Sequence, residues 1–260
     1  MKKADLHIHS NFSDGISSPE QIVDYVVENK LADKIYITDH NEIDGAFTAL
    51  GYNSSRGYNL EVGIGSEIST KSCHILGLDL KKKVKKYMSA KDTMYEILSQ
   101  GGFPVIAHPF NPFNIKGNHA GGMAVIEEAL SSGYPFALEV NGSLNYFTAL
   151  YHKGRIFSKV TCLATYNKIV VDVVEKLNLS IVGSSDAHTK SAICSAYTSY
   201  DHDLISDIRK KKTNYGLHSK SISTAIPYLM YHLLFDIFPM KYKRFLISKF
   251  TNLSKNYFQK

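Results

Sequence analysis

The stretch Ala4-Asp5-Leu6-His7-Ile8-His9 decides how the rest of the chain is read. Its polar residues (Asp5, His7, His9) alternate with apolar ones (Ala4, Leu6, Ile8). Successive side chains of a strand point to opposite faces, so this reads as a strand with one polar and one apolar face. Two imidazoles at i and i+2 near the strand's C-terminal end converge on one point in space, which suits a metal ion. A chance H-x-H is spelled the same way. What separates the two readings is whether the chain supplies more ligands.

It supplies them at matching places. Short apolar, β-branched runs alternate with helical patterns, which predicts a parallel sheet or barrel. The runs cover 4–9, 34–40, 62–69, 74–80, 104–109, 136–141, 180–185 and 196–200. Ser18, Pro19 and Gln21 form a helix start, with Ser18 as N-cap and Gln21 completing a capping box. A later start is placed at Asp201, ahead of Leu204, Ile205 and Ile208, with the cations from Arg209 to Lys212 at the negative end of that helix. His9, His40, Glu67, His108 and the pair Asp186/His188 fall at or just past the C-terminal end of a predicted strand. In β/α barrels, that end carries the active-site loops.

With His7, Asp14 and His74, the candidate donors number nine, and six of the eleven histidines are among them. The other five (His119, His152, His202, His218, His232) lie in loop or helical patterns and need no special role. Imidazole and carboxylate without thiolate suits Zn, Mn or Fe(II) rather than Ca or Mg. Nine donors exceed what one ion requires, and a carboxylate such as Glu67 can bridge, so a multinuclear site is the economical account.

Composition narrows the class. A chain of 260 residues, 44% hydrophobic and 21% charged, has the length of a single barrel domain and enough apolar residues for a large core. Cys73, Cys162 and Cys194 form no C-x-x-C pair and no even set. That argues against a disulfide framework or thiolate zinc site and for a reducing, cytoplasmic compartment. The N-terminus shows no apolar signal-peptide core. The net charge of +6 is matched by six cations between Pro239 and Lys260, a stretch without an acidic residue. The remainder is near neutral, which gives no support to a globally basic nucleic-acid-binding surface.

The donors stand in motifs that resemble those of the PHP (polymerase and histidinol phosphatase) family. Asp5-Leu6-His7-Ile8-His9-Ser10 with Ser13-Asp14-Gly15 is similar to its first motif and Thr38-Asp39-His40 to its second. Ala107-His108-Pro109 is similar to the third and Ser185-Asp186-Ala187-His188 to the fourth. The segment from Gly65-Ser66-Glu67 through His74-Ile75-Leu76-Gly77 resembles the stretch between motifs two and three in stand-alone phosphoesterases. The resemblance implies an α/β fold, a distorted seven-stranded (β/α)7 barrel with a trinuclear site at the strand ends. It implies that His7, His9, Glu67 and Asp186 hold one of three divalent ions (Mn, Zn or Fe). Glu67 would bridge to a second held with His74 and His108, and Asp14, His40 and His188 would hold the third. Asp186 and His188 are taken as catalytic, and Asp5 and Asp39 are expected to orient imidazoles from behind, with a turn or cap role as the alternative for Asp39.

This ligand set fits a phosphomonoesterase acting on a small phosphorylated substrate through a metal-bridging hydroxide. Two alternatives stand beside it: a catalytically silent metal-binding module acting through partners, and a metal-assisted hydrolase of a non-phosphate substrate. Asn111 and Lys116 after the third motif, Asn141 at a strand end, and Arg155 are the candidate substrate-binding residues, each with a turn former or solvated cation as its alternative. The segment 80–92 is short and lysine-rich, without the insertion that nucleotide- and oligonucleotide-cleaving members often carry, so nucleic acid or an oligonucleotide is not favoured as substrate. The barrel is assigned to residues 1–222 and a C-terminal helical/basic extension to 223–260. Residues 225–238 are apolar nearly all round, too few to span a bilayer, and a basic, aromatic-bearing stretch follows Pro239. Three readings stand open for it: packing on the barrel, an oligomer contact, or a peripheral membrane anchor on anionic lipid.

Overall fold

A computed structural model describes residues 1–111, 122–143 and 161–218, with the backbone alone for 161–165. Lys116, Arg155 and the extension 223–260 therefore lie outside the described residues. The strands are β1 (Lys2–Ile8), β2 (Lys34–Ile37), β3 (Glu61–Ser69), β4 (His74–Leu78), β5 (Phe103–Ile106), β6 (Ala137–Asn141), β7 (Ser180–Ser184), β8 (Ala196–Tyr200) and β9 (Asn214–Leu217). The helices are α1 (Pro19–Glu28), α2 (Asp44–Arg56), α3 (Ala90–Ser99), α4 (Gly122–Ser131), α5 (Thr161–Leu177) and α6 (Leu204–Arg209).

One nine-stranded sheet runs β7-β6-β5-β4-β3-β2-β1-β8-β9. It curls so that β1 meets the chain leaving β7. His9 N donates to Ala187 O (2.9 Å) and Ala187 N to His7 O (3.2 Å). The result is an α/β barrel of seven strands, distorted because β4 runs antiparallel to both β3 and β5. The remaining pair, β8 and β9, is antiparallel and extends from the first half of β1. The predicted parallel sheet is thus mixed. The inversion of β4 has a consequence for the site: its first residue, His74, pairs with Ser69 at the rim where the parallel strands end.

Alternation along β1 is broken. Between Asp5 and Ile8 the register slips, three steps on β1 facing two on β2. Such a bulge bends a strand and re-aims its side chains. Ala4 and Leu6 join the barrel interior with Tyr36, Leu76, Leu78, Phe103, Val105 and Val182. Ile8 instead packs outside with Ile22, Val23 and Val26 of α1 and Ala46 and Ala49 of α2. One polar face carrying Asp5, His7 and His9 together is therefore not what forms.

Helix starts follow local chemistry. Ser18 N donates to Gln21 Oε1 (3.1 Å) and Gln21 N to Ser18 Oγ (3.4 Å), the capping box read from the sequence, with Pro19 opening α1. At α6 the cap is Asp203, whose Oδ1 accepts from Ser206 N (2.8 Å), not Asp201. Asp201 gives its own amide to Asp207 Oδ2 (2.9 Å) and so sits outside the helix. Among the described residues, no helix is long and apolar enough to cross a membrane.

Candidate metal centre

The donors gather at the rim where the parallel strands end. His7 and His9 come from the end of β1, His40 from the turn after β2, Glu67 from β3, and His74 from the start of β4. His108 follows β5, Asp186 and His188 follow β7, and Asp14 folds back in the loop after β1. That loop approaches His9 so closely that a Cβ on Gly15 would lie 2.1 Å from the His9 carbonyl oxygen, so only glycine fits. His108 and Asp186 both have left-handed backbone (φ 29° and 53°), a conformation uncommon outside glycine and concentrated at functional turns.

Among the described residues, four overlapping groups form within ion-binding reach: His9/Asp14/His40/His188, His7/Glu67/His108, His7/His9/Asp186 and His40/Glu67/His74. Glu67, 1% exposed, stands at their centre and divides its two oxygens. Oε1 lies 2.8 Å from His74 Nδ1 and 2.9 Å from His108 Nε2. Oε2 lies 3.0 Å from His40 Nδ1 and 3.3 Å from both His7 Nε2 and His9 Nε2. The Nε2 atoms of His7 and His9 are 3.0 Å apart. Asp186 Oδ1 faces these two rings at 3.5 and 3.3 Å. Asp14 Oδ2 faces His188 Nε2 at 3.3 Å and His40 Nε2 at 3.5 Å. His188 Nδ1 lies 3.0 Å from the Asp186 carbonyl oxygen. A carbonyl only accepts, so Nδ1 carries the proton and Nε2 is left as the ligating atom.

Charge in this cluster is strongly coupled. Burial pushes the Glu67 carboxyl up, but His40, His74, His7 and His108 outweigh it and hold it well below the usual range. Asp186 is lowered in the same way by His7, His9 and His188, and Asp14 by His188, His40 and His9. Burial opposes a charge on His7, yet Glu139, Asp186 and Glu67 raise it well above the ordinary imidazole value. His9, His40 and His108 are raised likewise against burial. His74 goes the other way, because burial and its neighbours His108 and His40 outweigh Glu67. The raised rings and the lowered carboxylates offset one another, and divalent ions would take the place of the ring protons. The donor chemistry fits: neutral-capable imidazoles and carboxylates, several to a group, with no thiolate. Cys73 and Cys194 are buried apart from the cluster, and burial pushes the Cys73 thiol up to about 11.

Three expectations change. Asp5, re-aimed by the bulge, gives its oxygens to the backbone amides of Ser185 (2.9 Å) and Cys194 (2.8 Å) rather than to an imidazole. Asp39 accepts from Ser10 N (2.7 Å), Ser10 Oγ (2.6 Å) and Ser13 Oγ (2.6 Å), so it holds the loop carrying Asp14 and reaches His9 only through Ser13. Asn141 is fully buried with both ends of its amide bonded to protein, which turns it away from a substrate role. Asn111 is half-buried in the turn after His108, its amide donating to His108 O (3.0 Å). The sequence reading passed over Glu139, a fully buried carboxylate 2.8 Å from His7 Nδ1. Its signal was available: an acid inside the apolar strand Ala137-Leu138-Glu139-Val140, on the same parity as Asn141.

Fold and site together define a distorted β/α barrel whose rim gathers candidate ligands for divalent cations. The PHP domain model matches residues 5–211, and the chain belongs to that family. Its members are metal-dependent phosphoesterases and hydrolases. An uncharacterized protein of Methanocaldococcus jannaschii is 30% identical over 185 residues, covering 67% of this chain and 95% of that protein. A two-domain Bacteroides vulgatus protein containing a predicted PHP-like metal-dependent phosphoesterase aligns with TM-score 0.56 at 20% identity, over 84% of this chain. The present chain spans 65% of that protein's length. PsfC of Pseudomonas syringae aligns with TM-score 0.57 at 17% identity, over 90% of this chain and 98% of that one. At these identities the two structures speak for the fold alone.

Proposed function

We propose that this chain is a phosphoesterase of the PHP family that hydrolyses a small phosphate monoester with three divalent ions, Mn, Zn or Fe, at the barrel rim. The observation that carries this reading is Glu67, whose two oxygens face different sets of imidazoles, Oε1 toward His74 and His108 and Oε2 toward His7, His9 and His40. One carboxylate serving two sets is what neighbouring ions sharing a ligand require. His7, His9, Glu67 and Asp186 would hold one ion, Glu67 with His74 and His108 the second, and Asp14, His40 and His188 the third.

When bound, such ions bring the pKa of a coordinated water toward neutrality and offset charge on phosphoryl oxygens. The chain's own part is to place the donors and to set the field. Only three carboxylates stand among the nine donors, so three divalent ions leave a surplus of positive charge that suits a dianionic monoester. Burial of Glu67, Asp186 and His7 keeps water from screening that field. Asp186 and His188 are tied through the backbone, so a shift of either moves donors of two groups together.

The test is turnover of an aryl phosphate by the full-length, metal-loaded chain. His9→Ala and Asp186→Ala are each expected to abolish it while the fold persists, and inorganic phosphate and vanadate are expected to inhibit. Undiminished hydrolysis in both variants, or insensitivity to both anions, overturns the phosphoesterase reading.

A further inference from the structure

Behind the donors, Glu139 and Asn141 sit two residues apart on β6, both wholly enclosed. Glu139 Oε1 lies 2.8 Å from His7 Nδ1 and accepts from Ser184 Oγ at 2.5 Å. Oε2 accepts from the His108 amide at 2.6 Å and from Asn141 Nδ2 at 3.2 Å. Asn141 Nδ2 also reaches Asp186 Oδ2 at 3.2 Å, while its Oδ1 accepts from Ser143 N and Oγ. His7 shares one donor group with His108 and another with Asp186, and all three rest on this one pair.

A carboxylate only accepts, so the His7 nitrogen that faces it must carry a hydrogen. With Nδ1 committed to Glu139, Nε2 is the ring nitrogen directed at His9 Nε2 (3.0 Å) and Glu67 Oε2 (3.3 Å), and it must shed any proton it carries before it can take a metal. The same carboxylate also holds the amide of His108, whose left-handed backbone turns that residue at the rim. We propose that Glu139, steadied by Asn141, is a positioning residue of the metal centre: it selects Nε2 of His7 as the metal-facing nitrogen and couples His7 to His108. The inference rests on reading the rim as a metal centre. Glutamine at 139 would keep its oxygen for the His108 amide and turn its NH2 toward His7 Nδ1. That contact needs Nδ1 as acceptor, which moves the ring proton to Nε2 and blocks the ligating atom.

Full-length protein titrated with Zn2+ alone, in competition with a chelator, gives the affinity; nitrogen-15 spectra of the Zn2+-loaded chain give the protonated nitrogen of each ring. In wild type, His7 is expected to carry hydrogen on Nδ1 and metal on Nε2. Glu139→Gln is expected to bind Zn2+ about 10- to 100-fold more weakly, the usual loss when the group behind a metal-bound histidine is removed, with the His7 tautomer reversed. Hydrogen on Nε2 of wild-type His7 overturns the proposal, even if the variant does not fold. So does a folded Glu139→Gln protein with unchanged Zn2+ affinity, which would leave Glu139 a purely structural role. A wild-type chain that takes up no Zn2+ overturns the metal-centre reading and this inference with it.

Discussion

Replacing Glu67 by glutamine tests the electrostatic logic of the centre without requiring a substrate. In the metal-free chain, five imidazoles face this one carboxylate within 3.3 Å, and it is 1% exposed. Removing one partner of a buried ion pair costs about 3–5 kcal/mol, because the remaining charge is left uncompensated. For a chain of this size, that corresponds to a fall in Tm of roughly 6–20 °C. The penalty has a defined pH dependence. His7, His9, His40 and His108 have pKa values raised in the fold despite burial, with Glu67 among the carboxylates responsible for each. Such rings add stability that is complete below their unfolded pKa of about 6.5 and is lost as pH rises through the folded value. Thermal unfolding in excess chelator should therefore show the widest gap between wild type and Glu67→Gln near pH 6. As pH rises through the folded values of these rings, the gap should shrink toward the roughly 1 kcal/mol of ordinary hydrogen bonds. A gap that is constant, or that widens with pH, would refute the assignment of Glu67 as counter-charge to the ring cluster.

Three further outcomes are expected. Zn2+ affinity should rise between pH 6 and pH 8, with protons released on binding, because the raised rings must deprotonate to ligate; calorimetry in buffers of different ionisation enthalpy measures this, and a pH-independent affinity contradicts it. Asp5, pushed up to about 6 mainly by burial, loses stability relative to a neutral side chain as pH climbs from its unfolded value of about 3.8 through its folded one. The chelator-treated Asp5→Asn variant should accordingly gain on wild type by about 2 kcal/mol between pH 4 and pH 7.5 in denaturant titrations, and a difference that stays flat rules this out. Finally, a Cβ on Gly63 would lie 2.2 Å from the ring of the fully buried Tyr36, so Gly63→Ala should cost about 1–3 kcal/mol through overpacking. Unchanged stability would mean that the ring gives way freely.

The parts of this protein legible from its sequence share one property: they are set by neighbours close along the chain. The α1 capping box depends on Ser18 and Gln21, three residues apart, and forms as read. Among the described residues the β-branched runs mark eight of the nine strands; the ninth, Asn214-Tyr215-Gly216-Leu217, is a four-residue edge strand with no β-branched residue, too short for its Tyr/Leu alternation to announce it. Six of the nine candidate donors stood out because ionisable residues at the C-terminal ends of apolar runs are anomalous locally, and the PHP-like motifs supplied His7, Asp14 and His74. Glu139 escaped because it lies inside its run, and its partner His7 is 132 residues away.

The sequence by itself named an α/β class and a set of candidate donors, from residue type, short-range spacing and the resemblance to PHP motifs. Only the tertiary structure decided where those residues point. The bulge in β1 sends Asp5 to the backbone and Ile8 to the outer helices, because register is a contest between two strands and not a property of one. The antiparallel course of β4 brings His74 to the rim from the start of its strand. Strand direction depends on which edges the growing sheet leaves open, and nothing within the five residues His74-Ile75-Leu76-Gly77-Leu78 states it.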